Sequence, residues 1–471
     1  MQFRRDGFRI MNLGKFSWIF LALVIQVVTA FYSNGYNHPD EHFQVLEPAY
    51  GIVFDDWVAS WEWERGIRSY ILPVVFSWGI RVFKAIGFDD PSMWSFFFRL
   101  ILGIQFLSVF FIFDRWGKKI QNPSASLWMF YFLIGNWVFH YFTVRTLTGS
   151  IVMPWVVLGS YLSVFLENKN PKKAFFLGLL CGGLFLIRFQ MALFGVGFFI
   201  LMLIKKQYRN LLPFCLGVSL CLVLLGAVDV MTWGTPFHSM IEYFKFNILE
   251  KGASQFGEDP WHRYITALSR FFTAPIAVLS IIFVFYAGFK KRKESLSIII
   301  GMLPFLIIHH LIAHKEDRFL LPVLPLWIWL ACIGWTGWKK TLSEKKERVA
   351  VVFGIGLCGI SFLYGAFHHQ WKWQGDFSDL YRWLGTDDRV TGVAQTGKTL
   401  TYGGGNYYFH KRAPLVYLEK EDFDFKSVID QKINTFIIYD DSWVISKFKE
   451  KGISCNLLDP KKSRQVYLCD Y

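Results

Sequence analysis

Runs of about 20 apolar residues, long enough to cross a bilayer as helices, recur from Phe16 to roughly Phe367. Polar gaps separate them. Hydropathy predicts spans near 16–33, 93–113, 124–141, 151–166, 173–187, 190–204, 210–229, 265–289, 296–313, 319–337 and 349–367. The stretch "SYILPVVFSWGIRVF" inside the long polar segment 34–92 is too interrupted for a span and reads as a helix lying in the membrane interface. After residue 367 the pattern changes to strand-like alternation in "RVTGVAQ", "APLVYLE", "TFIIYDD" and "RQVYLCDY", with "GGGNYYF" as a turn or loop. The expected architecture is an all-α polytopic membrane protein of about eleven spans, residues 1–367, followed by a small α/β domain, residues 368–471.

Composition agrees with this picture. Of 471 residues 53% are hydrophobic and only 18% charged, too little charge to cover a soluble surface of this size. The net charge of +14 does not point to nucleic acid, because the basic residues sit in short gaps between apolar runs. With the N-terminus and its Arg4, Arg5, Arg9 and Lys15 in the cytoplasm, the lysine-rich gaps 115–119, 169–173, 205–209, 290–293 and 339–348 all fall on the cytoplasmic side. Counting the interfacial stretch as a span would invert everything after it. The first apolar run lacks a small-x-small cleavage site and reads as a retained span. Five of the seven cysteines lie in apolar runs; Cys455 and Cys469 lie in the tail, where an oxidising compartment would let them pair.

The scheme puts the loop 34–92, "VRTLTGS", Arg188, the loop 230–262, "HKEDR" and the tail on the extracytoplasmic face. Nucleotide sugars are absent there, so an energised substrate would arrive on a lipid. In "NHPDEHFQ", Asp40 and Glu41 stand side by side behind His38. Adjacent carboxylates repel, so one can be held protonated, bind a cation or serve as a general base. In "HKEDRF", His314, Lys315 and Arg318 suit a lipid-linked phosphate, Arg by its fork and Lys by its point charge. Arg145 and Arg188 are arginines in apolar settings, expensive there unless used. Asp229 closes a span, and Trp261 with His262 offers an aromatic platform beside a donor. Solvated turns, snorkelling and interface anchoring are the alternative readings of these residues. No ligand set demands a metal, although a divalent ion is compatible with the chemistry.

"HPDE", "RTL", "DVMTWGTPFHSMIEYFKFN", "FGEDPWHRY" and "HKEDRFLLPVLP" together resemble glycosyltransferase family 22, the mannosyltransferases of GPI-anchor and N-glycan assembly and their bacterial relatives. The resemblance spans roughly 34–325 and leaves the tail uncovered. It implies a GT-C fold and an inverting reaction. The implied donor is a polyprenyl- or dolichyl-phosphate sugar, and the acceptor a glycolipid or lipid-linked glycan. By the same resemblance Asp40 is the base with Glu41 beside it. His314, Lys315 and Arg318 then contact the donor. The chain departs from the family pattern after "RTL", at Gly149 and Val152, and after Arg188, where Phe189 and Gln190 replace the usual Pro-Thr. The absence of an Asn-x-Ser/Thr sequon with a permitted middle residue favours a bacterial inner membrane with a periplasmic site over the endoplasmic reticulum. The main rival function is a transporter or flippase of lipid-linked sugars. It would more often show internal repeats, and none is visible. An enzyme of the same architecture that moves another sugar is a second rival.

Overall fold

The computed structural model describes residues 14–290, 292–368, 371–419, 423–439, 443–459 and 464–471. The arginines expected to hold the N-terminus in the cytoplasm lie outside these residues, as does Lys291. The chain divides into two compact units. One comprises Met1–Tyr32, Gly66–Ile71 and Phe98–Gln370; the other comprises Ser33–Arg65, Leu72–Phe97 and Trp371–Tyr471.

The first unit is the membrane-spanning helical body. Its apolar helices include Tyr208–Trp233, Glu294–Leu311, Asp317–Lys339 and Glu344–Phe367, each long enough to cross a bilayer, as is Pro91–Lys119, which begins in the other unit. Shorter apolar helices cover Phe16–Tyr32, Pro123–Gly135, Thr148–Val164 and Phe189–Ile204. Two predicted spans are not single helices. The run 124–141 breaks at Asn136, whose extended backbone and side-chain oxygen cap a new helix, Trp137–Tyr141, by accepting from Val138 N at 3.1 Å. The run 265–289 splits into Arg263–Phe272 and Ala274–Lys290, bent by 120°, around Thr273 at φ 64°. The first of these helices carries Arg263 and Arg270 and buries Tyr264, Ala267, Leu268 and Phe271, an amphipathic pattern.

Helices in an apolar solvent gain little from burying apolar side chains, so close backbone approach has to hold them. Glycine supplies it here. A Cβ on Gly178 would sit 2.0 Å from Phe214 O, and one on Gly217 would sit 2.3 Å from Phe175 O, which locks Pro171–Ile187 against Tyr208–Trp233.

The second unit contains a five-stranded sheet built from β1 (Val393–Thr396), β2 (Leu415–Tyr417), β3 (Thr435–Ile438), β4 (Ser454–Asp459) and β5 (Gln465–Asp470), in the order β2-β1-β3-β5-β4. β1 pairs in parallel with β2 and β3; β5 runs antiparallel to β3 and β4. Ala394, Phe436, Ile438, Val444 and Phe448 form its core. Cys455 and Cys469 face each other across β4 and β5 and are joined by a disulfide. "GGGNYYF", expected as a turn, instead starts a short helix, Gly405–Phe409. The stretch expected to lie in the interface is a helix, Ile71–Ala85. It buries Phe76, Ile80 and Phe83 and exposes Val75, Trp78 and Val82, an outward apolar face suited to a membrane interface.

Candidate active site

Each unit holds one dense cluster of polar side chains. In the sheet-containing unit, His38 is extended and Pro39 opens a short helix, Pro39–Glu41. Proline suits a first helical position because its missing N–H would have no partner there. His38 Nδ1 accepts from Asp40 N at 3.2 Å and lies 3.0 Å from the Asp40 carboxylate. One ring nitrogen cannot accept from the amide and donate to the carboxylate together, so the two contacts are alternatives. The two adjacent carboxylates differ in burial. Asp40 is partly exposed, with its side chain 27% accessible, whereas Glu41 is buried and accepts from Asn37 N.

Behind this turn lies a third carboxylate that no local sequence pattern singles out. Glu47 is fully buried, and its Oε1 accepts from Val58 N at 2.8 Å and from Asn406 N at 2.8 Å. Its Oε2 accepts from Tyr407 N at 3.0 Å and lies 3.2 Å from His42 Nε2. The backbone donors come partly from the short helix that starts at Gly405, which takes φ 60° and leaves no room for a side chain: a Cβ there would lie 2.3 Å from Glu47 Oε2. His42 stacks between Tyr36 and Tyr408, at ring distances of 5.7 and 5.3 Å. Asn406 also donates to Asp56 Oδ1 at 2.6 Å; burial and the neighbouring Glu47 raise the Asp56 pKa. The glycine-rich tail segment thus braces the carboxylate turn from within the same unit. A distance of 359 residues between Glu47 and Asn406 hid this from local pattern reading.

In the helical body the "HKEDRF" turn is organised by its own acids. Glu316 accepts from Arg318 Nη2 at 2.9 Å and from Arg318 Nε, and its Oε1 lies 3.1 Å from His314 Nε2. Asp317 accepts from Arg270 Nη2 at 2.6 Å and pairs with Arg263 at 3.4 Å. Lys315, expected as a donor contact, is buried, and its ammonium donates to the carbonyls of Asp259 at 3.0 Å, Ala313 at 3.4 Å and Ile312. It ties this turn to the loop before Arg263–Phe272 and is spent on that task. Asp229 is likewise engaged structurally: fully buried, it accepts from Ser239 N at 2.9 Å and Ser239 Oγ at 2.7 Å, and so pins the helix His238–Phe244.

Two of the expected arginines come together. Arg188, in extended backbone after Pro171–Ile187, and Arg318 both lie against the Phe319 ring, at 5.2 and 5.4 Å. Arg68 stands within electrostatic range of Arg188 as well, and its carbonyl accepts from Trp233 Nε1 at 3.2 Å. Arg68 was not anticipated, because "GIRSY" carries no local signal of function. Arg145 is buried with its guanidinium 4.5 Å from the Tyr141 ring. Trp261 is exposed, 67% accessible, with His262 edge-on at 5.6 Å, and forms an open aromatic platform. Among the described residues no three His, Cys, Asp or Glu side chains gather as a metal site.

An apolar helical body with a small appended sheet is the GT-C arrangement, and solved structures share it. ArnT from Cupriavidus metallidurans bound to undecaprenyl phosphate superimposes with TM-score 0.67 at 12% identity, over 96% of this chain and 97% of that one. The Archaeoglobus fulgidus oligosaccharyltransferase gives TM-score 0.57 at 9% identity, over 90% of this chain and 68% of that one. The profile of the Alg9-like mannosyltransferase family matches residues 17–374, and the chain belongs to that family. Mannosyltransferase APTG1 of Arabidopsis thaliana is 28% identical over 67% of this chain and 58% of its own length. GPI mannosyltransferase 3 of Yarrowia lipolytica is 24% identical over 80% of this chain and 72% of its own. The human GPI alpha-1,2-mannosyltransferase 3 is 22% identical over 72% and 60%.

Proposed function

We propose that the protein is an inverting mannosyltransferase. It moves a mannosyl group from a polyprenyl- or dolichyl-phosphate donor to a hydroxyl of a glycolipid or lipid-linked glycan on the extracytoplasmic side of a membrane. The observation that carries this reading is the pair of arginines, Arg188 and Arg318, held on one phenylalanine ring, with Arg68 in electrostatic range. Glu316 offsets charge at Arg318, and a lipid monophosphate is an anion that a guanidinium fork recognises and that is available outside the cytoplasm. The pairing of ArnT with undecaprenyl phosphate supports a donor of this class.

In the proposed step the acceptor oxygen attacks the anomeric carbon on the face opposite the phosphate. The anomeric carbon–oxygen bond to phosphate breaks, and the electron pair leaves with the lipid monophosphate. Asp40 takes the acceptor's proton. Its partial exposure suits a group that must reach a substrate; Glu41, buried and bonded to the backbone, shapes the turn. Arg188 and Arg318 bind the charge that grows on the leaving oxygen. Trp261 offers a face for a sugar ring. The disulfide between Cys455 and Cys469 suits an oxidising compartment and supports the charge-based topology.

The test is donor class. Purified protein is incubated with an acceptor lipid extract and either dolichyl-phosphate mannose or GDP-mannose. Transfer from the lipid donor alone supports the reading; transfer from the nucleotide donor alone overturns it. A flippase would move lipid-linked mannose across vesicles without breaking the glycosidic bond.

A further inference from the structure

The two places where the chain departs from the family pattern meet at one side chain. Gln190 Oε1 accepts from Arg188 Nε at 3.3 Å, and the Gln190 amide donates to the Tyr243 hydroxyl. The Phe189 ring packs edge-on against Tyr243 at 5.3 Å. At the other departure, a Cβ on Gly149 would lie 2.9 Å from Arg188 Nη1, so the glycine makes the notch that the guanidinium fills. Tyr243 is itself held, because it rides on the helix His238–Phe244 that Asp229 caps through Ser239.

We infer that Gln190, Tyr243 and Gly149 are positioning residues that set the orientation of Arg188 toward the donor phosphate. The inference rests on the proposed role of Arg188 as a phosphate contact. An arginine side chain has about 2 kcal/mol of rotamer freedom to lose on being fixed. A guanidinium already held at Nε and seated in a notch has lost much of it before ligand binds, and its two Nη groups remain to fork onto phosphate oxygens. Asp229, Ser239, Tyr243, Gln190 and Arg188 then form one continuous chain of contacts from the end of a membrane span to the binding group. This gives a physical role to Asp229, which does not need to touch substrate.

The measurement is the affinity of the full-length protein in detergent for farnesyl phosphate, a short prenyl monophosphate, with the thermal midpoint recorded for each variant. Arg188→Ala should abolish or strongly weaken binding. Tyr243→Phe keeps the ring contact with Phe189 and removes only the hydroxyl; Gln190→Leu removes the amide; Gly149→Ala pushes on Nη1. Each should raise Kd about five- to tenfold, the scale of one lost hydrogen bond, with an unchanged thermal midpoint. Gln190→Glu separates positioning from simple bracing. A carboxylate there would hold Arg188 more firmly while cancelling its charge, so the midpoint should hold or rise while prenyl phosphate affinity falls further than in Gln190→Leu. If Arg188→Ala weakens binding but Tyr243→Phe and Gln190→Leu bind as wild type does, the positioning role is wrong and the donor reading stands. If Arg188→Ala binds as wild type does, the donor reading of Arg188 fails, and the positioning role with it.

Discussion

Removal of the Glu47 carboxylate should uncouple the turn that carries Asp40 from its support. Glu47 is fully buried and accepts three backbone hydrogen bonds, from Val58 N and Asn406 N at 2.8 Å and from Tyr407 N at 3.0 Å, with His42 Nε2 at 3.2 Å. Glu47→Ala leaves those donors buried without an acceptor, at about 1–3 kcal/mol each. Partial relaxation brings the sum to about 4–6 kcal/mol, a large share of the 5–15 kcal/mol that stabilises a typical domain. Glu47→Gln keeps one oxygen and turns an amide N–H₂ toward either the Val58 and Asn406 donors or the Tyr407 donor, so it should cost about half as much. The assay is thermal unfolding with limited proteolysis of the tail. Both variants should lower the midpoint, Glu47→Ala more, and open the segment around Gly405 to protease. A Glu47→Ala protein with the wild-type midpoint and cleavage pattern would refute the bracing role.

Further expectations follow from other groups. Gly405→Ala should destabilise comparably, because a Cβ would meet the Glu47 carboxylate at 2.3 Å and φ is 60° there; the same unfolding assay checks it. Arg318→Lys keeps a charge but loses the planar fork, and should raise the apparent KM for the lipid donor roughly tenfold in a transfer assay. Reduction of the Cys455–Cys469 disulfide, which closes a sequence separation of 14, should cost roughly 3 kcal/mol, read as a lower midpoint with reductant in wild type and no reductant effect in Cys455→Ser/Cys469→Ser. His410 is shifted down by burial, against a raising contribution from Asp89 at 3.4 Å. A depressed folded-state histidine contributes stability above its usual value of about 6.5 and loses it as pH falls below that value. Wild type should therefore lose more thermal stability than His410→Gln between pH 7.5 and pH 5.5.

What the sequence revealed was local and dense. Apolar runs and lysine gaps need only composition, so the polytopic helical body was legible. "HPDE" and "HKEDRF" concentrate charge within a few residues and stood out for the same reason. Groups defined by distant partners did not. Glu47 is one acidic residue in an ordinary helix until Asn406 and Tyr407 close on it. Arg68 and Tyr243 acquire meaning only beside Arg188. Lys315 is the reverse case: its neighbours in sequence suggested a donor contact, while the carbonyls it meets lie partly in another loop. The breaks at Asn136 and Thr273 escaped hydropathy because a cap and a left-handed residue do not change the mean apolarity of a run. β4 was missed because it is a half-exposed edge strand with a weak apolar pattern.

The most direct test of the account is mannosyl transfer from dolichyl-phosphate mannose by three purified proteins: wild type, Asp40→Asn and Glu41→Gln. The account predicts that Asp40→Asn loses at least 100-fold in kcat, the usual reach of a general base, while still binding donor. Glu41→Gln should lose less, and mainly through stability. Wild-type turnover by Asp40→Asn would contradict the assignment of the base and with it the proposed mechanism.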